Sequence, residues 1–240
     1  MGVAWGFGAV ASALMLLCVN LAHADTAGPD SRSFVLFAGT DLWRDGAFLH
    51  GGLLWSPGGF DADGFTLKLL LAGGGYTYPS GGLHTDVDGT LVSASALPGW
   101  RVISDGIAIT LYAGPMIQDY RLSPYDPGSL LHGFYSGAQI AADVWYQPTP
   151  ASMVAINGTI ASIAAIGTMR AAVGWQFDQP FFVGPEAQAL WCIDYQQWRL
   201  GAHVTGFRLD GLDWSASAGW AIESIGRAGP YLRLGVNTRF

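Results

Sequence analysis

Apolar and polar residues alternate one by one along most of this chain. Near its end, Leu232, Leu234 and Val236 fall on one side of the pattern. Arg233 and Asn237 fall on the other. Successive side chains of a β-strand point to opposite faces, so a hydrophobic period of two predicts a strand with one apolar and one polar face. An amphipathic helix would instead require a period of 3.6 residues.

The same pattern predicts twelve strands along the chain. Their predicted spans are residues 34–42, 47–55, 65–77, 87–98, 106–119, 133–147, 153–162, 168–177, 181–193, 198–208, 212–223 and 229–240. Bacterial single-chain outer-membrane barrels have an even number of antiparallel strands. Because turn-forming residues separate most of the predicted strands, a meander of neighbouring hairpins is the simplest way to connect them.

Charge is scarce for a chain of this length. Only 12% of its residues are charged and 50% are hydrophobic, whereas a soluble surface needs about 25–35% charged residues. Only helices and closed barrels satisfy the backbone inside lipid. We therefore predict an all-β fold, an antiparallel transmembrane β-barrel of about 12 strands with up-and-down connections. A soluble β-sandwich or lipocalin-like barrel is the alternative, because alternation alone does not say which face points outward.

The N-terminal residues have the features of an export signal. An apolar stretch, Ala9–Val19, precedes Ala22-His23-Ala24, which has the small-x-small pattern recognised by signal peptidase. We predict cleavage near Ala24 and a location in the outer membrane of a Gram-negative bacterium. The predicted divisions are a signal peptide (1–24), an N-terminal periplasmic segment (25–33) and an outer-membrane β-barrel (34–240).

Polar side chains with charges of both signs recur on the polar face of the later strands, as expected for the lumen of a membrane barrel. The residues predicted to face the lumen are Arg170, Glu186, Gln188, Arg199, His203, Asp213, Glu223 and Arg233. Aromatic residues near strand ends are predicted to form interfacial girdles. These residues are Trp55, Tyr76, Trp100, Tyr146, Trp175, Trp191 and Trp198.

Two patterns resemble parts of known sites but are incomplete. Outer-membrane lipid hydrolases activate a Ser with a His, whereas Val204 and Thr205 follow His203, so the His-x-Ser pattern of the deacylases is missing. Asp61-Ala62-Asp63-Gly64 and Asp86-Val87-Asp88-Gly89 begin like calcium loops but lack the closing Glu. We therefore expect no catalytic, cofactor or metal site. The formal net charge of −7 argues against nucleic acid as a partner.

The last residue is Phe240. Outer-membrane barrels commonly end on an aromatic residue that completes an alternating strand. The sequence therefore predicts two partners for the exported chain. The barrel-assembly machinery would recognise it through Phe240, and outer-membrane lipid would contact its apolar face.

Several motifs, in order along nearly the whole mature chain, resemble the cellulose biosynthesis protein BcsS family of alphaproteobacteria. They include Gly39-Thr40-Asp41-Leu42-Trp43-Arg44, Phe48-Leu49-His50-Gly51-Gly52, Pro98-Gly99-Trp100-Arg101, Gln118-Asp119-Tyr120-Arg121, Gly184-Pro185-Glu186-Ala187-Gln188 and Tyr195-Gln196-Gln197-Trp198-Arg199-Leu200-Gly201-Ala202-His203. The resemblance implies an outer-membrane accessory component of bacterial cellulose biosynthesis or secretion.

That resemblance brings no active-site motif and leaves the molecular role open. The protein is expected to act as a pore or a docking platform, with cellulose or cellulose-secretion components as its partners. An outer-membrane enzyme that modifies lipid or polysaccharide, or a structural or adhesive barrel, is the alternative. An open lumen would favour transport, a lumen blocked by Arg–Glu pairs would favour a structural role, and a Ser/His or carboxylate pair at one rim would favour an enzyme.

Overall fold

The computed structural model describes residues 32–177, 180–193 and 195–240. The predicted signal peptide, most of the predicted periplasmic segment and the turn residues 178–179 lie outside the described residues. Within the described ranges the chain forms twelve β-strands and one 3₁₀ turn (Ile163–Ala165). The strands are β1 (Phe34–Trp43), β2 (Gly46–Trp55), β3 (Gly64–Ser80), β4 (Thr85–Ser104), β5 (Ile107–Ser123), β6 (Gly133–Thr149), β7 (Ser152–Ala161), β8 (Gly167–Trp175), β9 (Phe182–Cys192), β10 (Tyr195–Leu209), β11 (Leu212–Glu223) and β12 (Ala228–Arg239).

Each strand pairs antiparallel with the next, and β12 pairs with β1 to close the barrel. The closing ladder is continuous from Val35 opposite Arg239 to Trp43 opposite Tyr231. The predicted twelve-stranded meander is confirmed. Among the described residues, no helix has the length and apolar character needed to cross a membrane.

Both ends of the barrel sequence lie at one rim, which we call the terminal rim. There the backbones of Phe34 and Phe240 exchange two hydrogen bonds of 3.0 Å, and their rings stack with centroids 5.8 Å apart. The opposite end is the far rim. Its longest connection is 124–132, between β5 and β6, and the longest connection at the terminal rim is 56–63, between β2 and β3.

Strands β4 and β5 run past the predicted boundaries of 87–98 and 106–119 and meet in a tight hairpin. Asp105 and Gly106 have φ values of 44° and 79°, as a two-residue type I′ turn requires. Pro98 signals a strand end in the sequence, but the strand continues through it. The β4–β5 ladder has no paired rungs between Ser95 and Gly99, so a residue without an N–H is tolerated there.

The apolar face of the strands points outward. Leu71, Leu111 and Leu200 are 66%, 60% and 67% exposed on the outer wall, while polar residues at alternating positions are buried. A soluble lipocalin-like barrel would have the opposite arrangement. The wall therefore has the character of a transmembrane barrel, with an exterior suited to lipid.

A strip of aromatic rings lines the interior near the far rim. We call Trp43, Phe48, Tyr76 and Tyr78 the aromatic strip; successive rings stack with centroids 5.7, 6.5 and 6.2 Å apart. The prediction that Tyr76 belongs to an outer girdle is wrong, because its side chain points inward and is only 3% exposed. Its ring lies so close to Gly89 on the next strand that a Cβ there would be 2.3 Å from it. A glycine therefore makes room for the ring, which periodicity alone does not reveal.

Candidate functional site

The barrel interior contains most of the polar residues that the sequence singles out. Seven of the eight predicted lumen residues are buried there, with exposures of 2–8%. They are Arg170, Glu186, Gln188, Arg199, His203, Glu223 and Arg233. The eighth, Asp213, is half-buried at the terminal rim, where its carboxylate is 3.1 Å from the exposed side chain of Arg208.

The first interior cluster centres on Arg199 of β10. Its guanidinium donates to both carboxylate oxygens of Asp41 on β1, at 2.7 and 2.9 Å, and to Gln197 at 2.6 Å. Gln197 in turn donates to Glu223 at 2.9 Å and to the Tyr195 hydroxyl at 3.0 Å. Because β1 and β10 are not neighbours in the barrel, the Arg199–Asp41 pair bridges the interior rather than following the wall.

The second cluster centres on Glu186 of β9. Its carboxylate accepts hydrogen bonds from Arg170 at 2.8 Å and from the Tyr231 hydroxyl at 2.8 Å. Gln188 donates to the same carboxylate. The Arg199 guanidinium lies 5.3 Å from the centroid of the Tyr231 ring, which is within the range of a cation–π contact. The two clusters therefore form one polar body, to which β1 and β8–β12 contribute.

A third cluster lies on the opposite wall and was not predicted. Lys68 of β3 forms an ion pair with Asp143 of β6, and Asn157 donates to the same carboxylate at 3.0 Å. The Lys68 ammonium also lies 4.2 Å from the centroid of the Tyr112 ring. The signal in the sequence was a single charge between apolar neighbours, in Leu67-Lys68-Leu69, which indicates an inward position on a strand whose outer face is apolar.

At the far rim, two connections bury side chains in the mouth of the barrel. Asp126, in the β5–β6 connection, is 1% exposed and accepts a hydrogen bond of 3.1 Å from Tyr78. Leu131 of the same connection and Ile163 of the 3₁₀ turn are buried in the cluster that contains the aromatic strip. The connection therefore folds into the mouth instead of extending into solvent.

At the terminal rim, the 56–63 connection buries a side chain in a similar way. Phe60 is 4% exposed, and its carbonyl accepts a hydrogen bond of 3.0 Å from the Arg101 guanidinium. That guanidinium also lies 5.0 Å from the centroid of the Phe60 ring. This connection therefore places an apolar side chain in the end of the barrel.

Both ring nitrogens of His203 lie within hydrogen-bond distance of neighbouring groups in the barrel wall. One ring nitrogen lies 2.9 Å from the Thr205 hydroxyl and the other 3.1 Å from the Val173 carbonyl. With His203 only 2% exposed, a substrate would not reach it in this arrangement. The geometry therefore gives no support to nucleophilic catalysis by this pair.

The aspartates of the two calcium-like motifs accept hydrogen bonds from neighbouring strands. Asp63 accepts a hydrogen bond of 2.6 Å from the Ile103 amide, and Asp88 accepts one of 2.8 Å from Thr77. In the part of the chain that the structure describes, no three His, Cys, Asp or Glu side chains are grouped so that they could hold a metal ion.

Comparison with known families identifies the chain. The family model described as cellulose biosynthesis protein BcsS matches residues 35–240, which is the whole barrel apart from Phe34. The chain belongs to this family. The resemblance found in the sequence motifs is confirmed, and it connects the BcsS-family barrel with cellulose biosynthesis. No curated protein sequence matches the chain.

Solved structures similar to this BcsS-family barrel are also membrane barrels. The TodX deltaS2S3 mutant monoaromatic hydrocarbon channel is 9% identical, with a TM-score of 0.50 over 87% of this chain and 90% of that chain. The KdgM porin is 14% identical, with a TM-score of 0.47 over 86% and 99%. LpxR from Salmonella typhimurium is 12% identical, with a TM-score of 0.49 over 86% and 100%. The likeness to the TodX mutant, at a TM-score of 0.50, supports the barrel fold alone and leaves function to the site.

Proposed function

We propose that this BcsS-family barrel lies in the outer membrane and serves cellulose production as a closed docking platform. The family supplies the link to cellulose, and the outward apolar face supports the membrane location. In this proposal the barrel anchors cellulose-secretion components or cellulose at the cell surface, without conducting the polymer through its lumen and without catalysis. Outer-membrane lipid surrounds its wall, and the assembly machinery recognises its last strand.

The observation that carries the proposal is the set of ion pairs across the interior, because they argue against transport and leave the exposed rims as the surfaces on which a partner can dock. Two of its ion pairs, Arg199–Asp41 and Lys68–Asp143, join strands that are not neighbours. Breaking a buried pair leaves a charge without compensation in a low-dielectric surrounding, which costs about 3–5 kcal/mol per pair. Passage of a polymer would require such pairs to separate, and the buried side chains at both rims to withdraw as well.

The surface available for docking is the far rim. In the 124–132 connection, Tyr125 and Leu130 are 60% and 57% exposed. Their sequence neighbours Asp126 and Leu131 are buried in the mouth of the barrel. The Tyr125 ring also packs edge-on against His132, with centroids 5.6 Å apart. An exposed apolar surface held by a rigid base has the character of a binding surface.

Two measurements test the platform. Purified barrel in planar lipid bilayers is expected to show no stable conductance, while the same gene restores cellulose production to a deletion strain. Steady single-channel conductance by the wild-type protein would contradict the proposal and favour a pore.

A pair of variants tests the docking surface. Tyr125→Ser with Leu130→Ser is expected to lower cellulose output severalfold at unchanged barrel level, because both side chains are exposed. The control is Leu209→Ser, which removes an exposed leucine (51%) at the terminal rim and should leave output unchanged. Equal output from both variants would exclude this surface.

A further inference from the structure

Eleven buried side-chain N or O atoms have no protein hydrogen-bond partner among the described residues, and six of the eleven lie on six different strands. These six are His50 Nδ1 on β2, Ser95 Oγ on β4, Gln118 Nε2 on β5, Asn157 Oδ1 on β7, Gln188 Oε1 on β9 and Arg233 Nη1 on β12. Since buried polar groups in proteins are nearly always hydrogen-bonded, these atoms indicate hydrogen-bond partners that the protein itself does not supply.

Two of these atoms border a small cavity. It has a volume of about 20 Å³ and is lined by four polar residues together with apolar ones. The polar residues are Ser93, Ser95, Gln118 and Gln139. A cavity needs roughly 10–15 Å³ and two to four polar partners to hold one water molecule. The cavity therefore fits a water molecule and is far too small for a sugar ring.

Gln118 defines the chemistry of this cavity. It is 1% exposed, and its Oε1 accepts a hydrogen bond of 2.9 Å from Tyr120. The opposite end of the amide has no protein partner, and turning the amide over would leave the other end in the same position. The Ser95 hydroxyl is able to donate or accept, so the site offers both kinds of hydrogen bond, which suits water and disfavours a simple ion.

We propose that this cavity is a structural water site. The bound water completes the hydrogen bonding of Ser95 and Gln118 and hydrates the barrel interior at this point. This proposal does not depend on the docking function and holds for any role of the barrel.

Two buried methionines provide an internal test. Met116 lines the cavity and is 4% exposed, whereas Met153 is 0% exposed and packs against Ala155 and Phe182 in an apolar cluster. In radiolytic footprinting of the folded full-length protein in lipid nanodiscs, radicals formed from bound water oxidise the side chains next to them. Met116 is expected to oxidise at least fivefold faster than Met153. Equal oxidation rates at the two methionines would overturn the proposal.

Variants then test whether Ser95 and Gln118 bind the water. Ser95→Ala combined with Gln118→Leu removes two polar partners and should reduce the oxidation rate of Met116 to about that of Met153. The matched control is Thr205→Val, which alters a buried hydroxyl in the His203 pair and should leave the Met116 rate unchanged. Heat-modifiable migration on gels verifies that each variant is folded. A folded double variant in which Met116 oxidises at the wild-type rate would also contradict the site.

Discussion

At the residue scale, the interior cations are stabilised by a repeated combination of neighbours. Arg199 contacts a carboxylate and also lies 5.1 Å from the centroid of the Trp43 ring. Lys68 has the same two kinds of neighbour, in Asp143 and Tyr112. A ring face attracts a cation without adding a second negative charge. The combination therefore offsets part of the desolvation of each cation and keeps the interior nearly neutral.

Replacing Arg199 with Leu should strongly destabilise the barrel. The change leaves Asp41 buried and without its bidentate partner, which costs about 3–5 kcal/mol. The control is Arg208→Leu, since Arg208 is half-exposed in its pair with Asp213 and surface pairs contribute about 0–1 kcal/mol. The free energy of unfolding in urea, measured in detergent micelles, compares the two. Similar losses would show that Asp41 finds another partner.

Adjacent glycines on β3 offer a second comparison. A Cβ on the inward Gly74 would lie 2.2 Å from the Ala47 carbonyl oxygen, whereas one on the outward Gly73 would have its nearest neighbour at 3.6 Å. Gly74→Ala is therefore expected to lower the free energy of unfolding by about 1–3 kcal/mol through overpacking. Gly73→Ala should be neutral or slightly stabilising, because it restricts the unfolded chain. The same urea titration measures both, and an equally stable Gly74→Ala variant would disprove the close approach of the β2 backbone to Gly74.

At the element scale, the strands were predictable from the sequence, whereas the inward folding of the connections between them was not. Alternation predicts a strand because the polarity of each residue indicates the face on which its side chain lies. The later strands, which contain Arg199 and Glu186, were therefore assigned correctly. Asp41 was missed because its partner lies 158 residues away in the sequence, and no local pattern specifies that pairing. The inward folding of the 56–63 connection also escaped prediction, since Phe60 in a Pro/Gly-rich stretch has no periodic neighbours.

The last strand should determine assembly. Deleting Phe240 removes both its stacking on Phe34 and the terminal aromatic that the assembly machinery is predicted to recognise. Outer-membrane levels should fall sharply, while export across the inner membrane continues and unfolded protein collects in the periplasm. Leu234→Asp, which puts a carboxylate on the lipid-facing side, should act in the same direction. Immunoblots of membrane fractions measure both effects.

Thr238→Ser is the control for this strand, because it changes neither the apolar stripe nor the terminal ring. It should assemble at the wild-type level. Normal assembly of both the Phe240 deletion and Leu234→Asp would show that β12 is not a lipid-facing closing strand.

At the scale of the whole molecule, closure of the sheet and the inverted polarity of its faces belong together. A closed barrel leaves no free strand edge, so its backbone is satisfied without water. The apolar exterior then needs lipid, as the low charge content of 12% already indicated. Inside the barrel, the polar networks lie beside the buried apolar clusters rather than around a single hydrophobic core.

Location and folding state are open to direct measurement. Sarkosyl-insoluble membrane fractions are expected to contain the protein, migrating faster on gels without boiling than after it, since the closed sheet resists detergent. The same sample should begin at Asp25 by N-terminal sequencing if the predicted cleavage occurs. Recovery as a soluble periplasmic protein would be incompatible with the exposed leucines of the outer wall.

Because the backbones of Phe34 and Phe240 are hydrogen-bonded to each other, the two ends of the barrel sequence could be linked and new ends made elsewhere. With two hydrogen bonds of 3.0 Å between these residues, a short linker would turn the barrel sequence into a ring in which no strand is intrinsically first. Opening that ring at the Asp105–Gly106 turn, on the same rim, would give a circular permutant that begins with β5 and ends with β4. Such a permutant places Phe240 in the interior of the polypeptide and keeps every pair of neighbouring strands. Whether this permutant assembles would show if the barrel needs only its strand pairing, or also needs its strands to be synthesised in the native order with Phe240 last.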